Sequence, residues 1–342
     1  MVDRCFRAWR RRLVLLGMAF GLPGIAAAQP ATASVVPPGS PVVRLATFEQ
    51  PGGRALDGDV EVRTANVLFC RESGATLLLA RDERNEVTVA CPFTLMVVLD
   101  GERLVVSLDE GEVYVESDRP TGVNAGDAMI GTGRTHYVVR REAEPEGGVG
   151  ADRVSCAVFE GSVLMQVRGE VAAVEQGMAW AVRGNEISAE VVSATEYRRA
   201  AALYTRVAVE KTRATGAEVT QEHELRLRDG YMGVLREPED PEARVRLKEA
   251  QVRGGFLVPA TALEVVPPEA LERNPDLSAR LLVAEAVRAF RTGESARAVD
   301  LIRHGAAPAA AVVESLRGYE TGNDAVAAAA RRLRAQLGVV PP

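Results

Sequence analysis

Gly111-Glu-Val-Tyr-Val115, with Gly58-Asp-Val-Glu-Val62 before it and Gly161-Ser-Val-Leu-Met165 after it, decides how the first half of this chain is read. Each is a glycine followed by apolar residues at alternate positions, the pattern of a turn that enters a half-buried strand. A second glycine follows each one 15 or 16 residues on, at Gly74, Gly126 and Gly177, and the three leading glycines are 53 and 50 residues apart. Matched spacing of this kind predicts a repetitive β architecture, with all six glycines at turns. Leu77-Leu-Leu-Ala80, Val87-Thr-Val-Ala90, Leu95–Leu99, Leu104–Leu108 and Val163–Val167 add short β-prone runs separated by Asp, Gly and Asn. The expectation is an all-β domain over residues 45–190, either solenoid-like or a twisted sandwich of short repeated strands.

The composition changes near residue 193. Ser193-Ala-Thr-Glu196 fits a capping box, in which the serine oxygen accepts from the third helical amide and the glutamate returns the bond. Tyr197–Thr212 then runs without a breaker. Residues 217–275 are cut by Pro238, Pro241, Gly254, Gly255, Pro259, Pro267 and Pro268, with Glu242–Arg253 the best short helix. Asp276–Thr292, Glu294–His304, Pro308–Tyr319 and Asn323–Leu337 have helical periodicity and are punctuated by Gly293, Gly305, Gly322 and Gly338. Residues 191–342 therefore read as a helical domain, with antiparallel helix hairpins at 276–337. Through Ala284, Val287 and Ala296 these hairpins are similar to tetratricopeptide repeats, although the bulky aromatic positions of that family are missing.

The amino terminus predicts the compartment. Arg4, Arg7, Arg10, Arg11 and Arg12 precede an apolar run from Leu13 to Leu22, and Pro23-Gly24 breaks that run before Ala26-Ala27-Ala28. This is the layout of a secretory signal peptide over residues 1–28, cut between Ala28 and Gln29. The competing reading is an uncleaved anchor, but a spanning helix needs about 20 apolar residues and this run is shorter. Residues 29–44 form a proline-rich linker. Removing the leader changes the formal charge from −6 to −10, from 36 basic and 46 acidic residues. An acidic chain without a basic run disfavours nucleic acid or anionic lipid as a partner. Export also allows a disulfide among Cys70, Cys91 and Cys156. Cys70–Cys91 is favoured because a strand-turn-strand between them could bring neighbouring strands into register; the alternative is that all three are small core residues.

Catalytic patterns are absent. The three histidines, His136, His223 and His304, lie in different contexts, and no nucleophile elbow, phosphate loop or metal spacing occurs. A turn or strand role suits His136, and His304 suits a helix end. Asp57-Gly-Asp59 and Asp100-Gly-Glu102 are ordinary turn chemistry, lacking the fuller ligand set of calcium repeats. Trp180, in an alternating run, reads as core or half-buried rather than as a ligand platform. The expectations are no enzyme activity, no cofactor and no metal.

Residues 50–190 carry a resemblance in the order of their elements. Leu108-Asp-Glu-Gly-Glu-Val-Tyr-Val115 leads to Pro120-Thr-Gly-Val-Asn-Ala-Gly-Asp-Ala128 and Ile130-Gly-Thr132, then Val158-Phe-Glu-Gly-Ser-Val163 and Val174-Glu-Gln-Gly-Met-Ala179. This resembles the FecR-like periplasmic domain. One element departs from the family pattern: Gly131-Thr132 is separated from Tyr137 by Gly-Arg-Thr-His. The resemblance implies a role in cell-surface signalling, where such a region senses an outer-membrane receptor and controls a sigma factor. Without a cytoplasmic anti-sigma segment or a following single-pass helix, direct sigma-factor control is not expected. What the resemblance implies here is a periplasmic protein-interaction or sensing module whose partners are envelope proteins. The alternative is a structural or glycan-associated envelope protein on a repetitive β scaffold, against which stands an aromatic content of 5%.

Overall fold

In the computed structural model the described residues run from 42 to 338, apart from 45–47, 51–53, 57–59, 62–65, 71–75, 83–84, 101–102, 118–119, 133–134, 143–152, 184–185, 214–216, 257–264 and 322–324. The expected signal peptide, its cut between Ala28 and Gln29, and the glycines at 58 and 74 lie outside them. The first part of the described chain is mainly β and the second part is helical. The early strands are β1 (Val42–Arg44), β2 (Phe48–Gln50), β3 (Arg54–Leu56), β4 (Val60–Glu61), β5 (Asn66–Cys70) and β6 (Thr76–Asp82). Two long strands follow, β7 (Asn85–Asp100) and β8 (Arg103–Ser117). The remainder are β9 (Thr121–Ala125), β10 (Ala128–Thr132), β11 (Thr135–Glu142), β12 (Arg153–Glu160), β13 (Ser162–Val167), β14 (Glu170–Glu175), β15 (Met178–Arg183) and β16 (Glu186–Val191).

All sixteen belong to one curled, mixed sheet, and its plan follows from a bend in the β7–β8 hairpin. The first half of β8 pairs in parallel with β9, whereas its second half pairs antiparallel with β11. β7 divides the same way, with β6 beside its first half and β5 beside its second. The division falls at Gly111, which has φ +112°. A Cβ there would sit 2.7 Å from the Pro92 carbonyl oxygen and 2.8 Å from the Phe93 Cβ, so only glycine permits the close approach. The β7–β8 register slips between Ala90 and Leu95, opposite the bend. Two wings result, and the inner faces of both share one core: Leu95, Val97, Val106, Val123 and Ile130 from one, Val87, Val113, Val115, Tyr137 and Val158 from the other.

Gly111 is therefore not a turn before a strand but a corner within one. Gly126, Gly161 and Gly177 do lie between strands with positive φ. Gly126 closes the β9–β10 hairpin, while Gly161 and Gly177 carry the chain from one wing to the other. Their even spacing thus joins positions that are not equivalent in the fold, and hairpin pairing rather than a coil of stacked rungs builds the sheet.

Eight helices are described: α1 (Ala194–Arg213), α2 (Gln221–Arg236), α3 (Pro241–Gly254), α4 (Pro268–Arg273), α5 (Pro275–Arg291), α6 (Ser295–His304), α7 (Ala309–Glu320) and α8 (Ala325–Leu337). α1 and α2 lie on the outer face of one wing, where Tyr114, Val138, Ala157 and Phe159 meet Ala200, Tyr204, Leu227, Tyr231 and Val234. α5 to α8 form a separate core around Val283, Ala284, Val287, Leu316, Ala330 and Leu333. α3 joins the two, since Leu247 faces the first and Val252 the second. None of the described helices is long and apolar enough to cross a membrane.

Candidate functional site

The strongest concentration of buried charge lies where the sheet meets α3. His136 on β11 is 1% exposed, with its Nδ1 3.0 Å from Glu160 on β12 and its Nε2 3.5 Å from Glu116 on β8. Register explains the convergence. His136 stands opposite both Glu116 and Glu160, and the β11–β12 ladder slips between His136 and Tyr137, so that Tyr137 faces Val158. The slip leaves Phe159 as the extra residue of a bulge. Ala157 and Phe159 face the helices and Cys156 and Val158 the inner core by ordinary alternation, and the extra residue brings Glu160 opposite His136.

From the helical side Arg244 completes the group. Its guanidinium donates to Glu160 at 2.9 Å, to the Pro238 carbonyl at 2.6 Å and to the Val265 carbonyl at 3.0 Å. Burial alone would disfavour the His136 imidazolium, but the carboxylates of Glu116 and Glu160 outweigh it and raise the pKa to about 9. Burial would likewise raise Glu160, yet His136 and Arg244 hold its carboxyl down at about 2. A histidine so fixed keeps its proton at neutral pH and has no opening to solvent through which to pass it on. The cluster is suited to bracing, not to acid–base exchange.

Beside it, Arg140 on β11 donates to Glu112 at 2.8 Å and, in a fork, to both oxygens of Glu196 at 3.1 Å. Glu196 sits at the start of α1. Its amide donates to the Ser193 hydroxyl oxygen at 3.2 Å, so the expected serine cap is present. The glutamate carboxylate, however, is spent on Arg140 rather than returned to the cap. Glu112 also accepts from the Tyr114 hydroxyl. A cavity of about 200 Å³ lies here, bordered by Arg140, Arg153, Ser155, Trp180, Glu190 and Glu196.

A shallower groove of about 520 Å³ runs along α5 and α6, lined by Leu282, Arg297, Asp300, Leu301, His304 and Gly305. His304 closes α6 with its Nδ1 3.2 Å from the Asp300 carbonyl, the helix-end contact expected of it. His223 is half-buried in the first turn of α2. No group of three His, Cys, Asp or Glu among the described residues is placed to hold a metal ion. Cys156 is a free thiol buried in the inner core, and burial pushes its pKa up to about 12. Cys70 stands opposite Phe93 in the β5–β7 ladder, two residues from Cys91; the side chains of both cysteines lie outside those described. Trp180 is half-buried against the inner core.

From sequence His136 suits a turn or strand, and none of its partners is marked. Glu116, Glu160 and Arg244 are spread over 128 residues, and only the β8–β11–β12 register with α3 docked above it brings them together.

No protein-family model matches the sequence, and no curated protein matches it. Among solved structures, similarity is found to two crystal structures, each of a "putative anti-sigma factor" from Parabacteroides distasonis. One matches at 15% identity with a TM-score of 0.34, covering 45% of this chain and 76% of that one. The other matches at 15% identity with a TM-score of 0.32, covering 38% of this chain and 61% of that one. The likeness is partial at these values and decides neither fold nor role.

Proposed function

We propose that this chain is an exported, non-enzymatic FecR-domain protein, serving in the periplasm as an interaction or sensing module of the cell envelope. The observation that carries the reading is the Glu116–His136–Glu160–Arg244 cluster. The strongest histidine perturbation of the described chain is used to lock a β sheet to a helical array, not to line an open cleft. A locked sheet and helical array can answer binding at one surface as a unit. The order of elements from Leu108 to Ala179, with its FecR resemblance, supports the compartment and the class of role.

The partner, an envelope protein, docks on the groove along α5 and α6. Leu282 and Leu301 there supply an apolar floor, and Arg297, Asp300 and His304 supply polar borders, a combination suited to a peptide segment with one apolar anchor. Capture from periplasmic extract by the full chain tests this. Leu301→Glu should retain its circular dichroism and lose most of the captured protein, and a glycan array probed in parallel should stay blank. Undiminished capture by Leu301→Glu removes the groove from the reading. Turnover abolished by one point substitution overturns the non-enzymatic role. Amino-terminal sequencing of the periplasmic fraction should begin at Gln29.

A further inference from the structure

β16 is the open end of one wing. It pairs with β15 through Met178↔Val191 to Arg183↔Glu186, and among the described residues no strand pairs with its other side. All six of its residues are exposed, Ile187 at 42% and Val191 at 75%. The strand has no lysine or proline, the residues that commonly blunt such an edge.

The phase of the ladder shows what this edge can accept. Val192 donates to the Gly177 carbonyl at 2.8 Å, so residues in step with it, Glu190, Ser188 and Glu186, spend their backbone groups on β15. The backbone N–H and C=O of Ile187, Ala189 and Val191 then point outward. The same three side chains share the inner apolar face, because their partners on β15 are Val182, Trp180 and Met178.

We propose that this edge pairs antiparallel with the β16 of a second copy of this chain, with Ala189 on the two-fold axis. In that register Ile187 lies opposite Val191 and Ala189 opposite Ala189, joined by about six backbone hydrogen bonds. On the inner face the apolar rows continue across the junction, as Met178, Val191, then Ile187 and Val182 of the second copy. On the other face Ser188 lies opposite Glu190. Shifting by one pairing step in one direction sets Glu186 against Glu190, and in the other sets Glu190 against Glu190; both place like charges directly opposite. One register therefore satisfies facing, hydrogen-bond direction and charge at once, and an isologous contact supplies it with no other molecule. So short a contact gives a weak, reversible dimer. The inference is independent of the periplasmic reading and of the groove.

Sedimentation velocity of the full chain from micromolar to millimolar concentration tests it. The expected result is a dimer that grows with concentration. Ala189→Pro deletes an outward N–H without touching the β15 ladder, and Ile187→Lys blunts the edge. Each should weaken association by about tenfold or more with unchanged circular dichroism. Ala189→Cys should cross-link under mild oxidation beyond the wild-type background, and Glu186→Cys should not. A chain that is monomeric throughout, a dimer that survives both edge variants, or cross-linking at 186 instead of 189 overturns the proposal.

Discussion

Two glycines of similar spacing make different demands on the backbone. Gly111 combines φ +112° with backbone and Cβ atoms closer than 3 Å to any added methyl group, whereas Gly177 has φ +77° and nothing within 4 Å. Alanine at 177 meets only the left-handed penalty, roughly 1 kcal/mol. Alanine at 111 adds a clash with Pro92 and Phe93 at the corner shared by both wings, and should cost about 3 kcal/mol or more. Urea unfolding of Gly111→Ala and Gly177→Ala should rank them in that order. His136 makes a second prediction at this scale. Its folded pKa, about 9, lies above the ordinary 6.5, so its stabilisation is complete below pH 6.5 and is lost as pH rises through 9. Glu160 acts oppositely: depressed from 4.5 to about 2, it contributes above 4.5 and is lost as pH falls through 2. Thermal melts should therefore show a higher midpoint at about pH 6 than at about pH 10, with on the order of 3 kcal/mol at stake. His136→Gln should flatten that alkaline decline.

At the scale of elements, α3 is the helix on which most depends. It contributes Arg244 to the sheet, Leu247 to the core under α1 and α2, and Val252 to the core of α5 to α8. It also meets α5 through Arg280, which bridges Glu242 at 2.7 Å and Glu249 at 2.6 Å, and through Lys248 with Glu285 at 2.8 Å. Arg244→Met leaves Glu160 without its guanidinium partner and should destabilise by about 3–5 kcal/mol, as broken buried pairs do. Adding Glu160→Gln should recover part of that loss, since a neutral amide needs no counter-charge; a double-mutant cycle by chemical denaturation measures the coupling. The helix borders of Glu242–Arg253 and of the last four helices were readable to within a few residues from glycine and proline punctuation. α2 was not. Its Gln-Glu-His-Glu start looks like a solvent-facing segment, and its apolar face, Leu227, Tyr231 and Val234, makes sense only against Tyr204 and the sheet.

For the whole molecule, the inner β core and the α5–α8 core are separate, with α3 and the α1–α2 layer between them. Deleting residues 276–342 should leave the sheet signal in far-ultraviolet circular dichroism intact. The exposed flank of α3, with Val252 uncovered and Lys248, Glu242 and Glu249 without α5, should lower the melting midpoint by several degrees. Capture of envelope proteins should fall with the groove gone, and capture that persists would place the contact on the sheet. The sequence by itself determined what is periodic or local: a β-rich first part, a helical second part, the Ser193 cap and the glycine turns at 126, 161 and 177. Those follow from alternation, capping and backbone sterics within a few residues. Only the tertiary structure decided that Gly111 is a corner rather than a turn, that Glu196 serves Arg140 instead of its own cap, and that Glu116, His136, Glu160 and Arg244 form one buried group. Each of these depends on strand register and on which helix covers which face, and register is set by the summed burial of distant residues rather than by any local pattern.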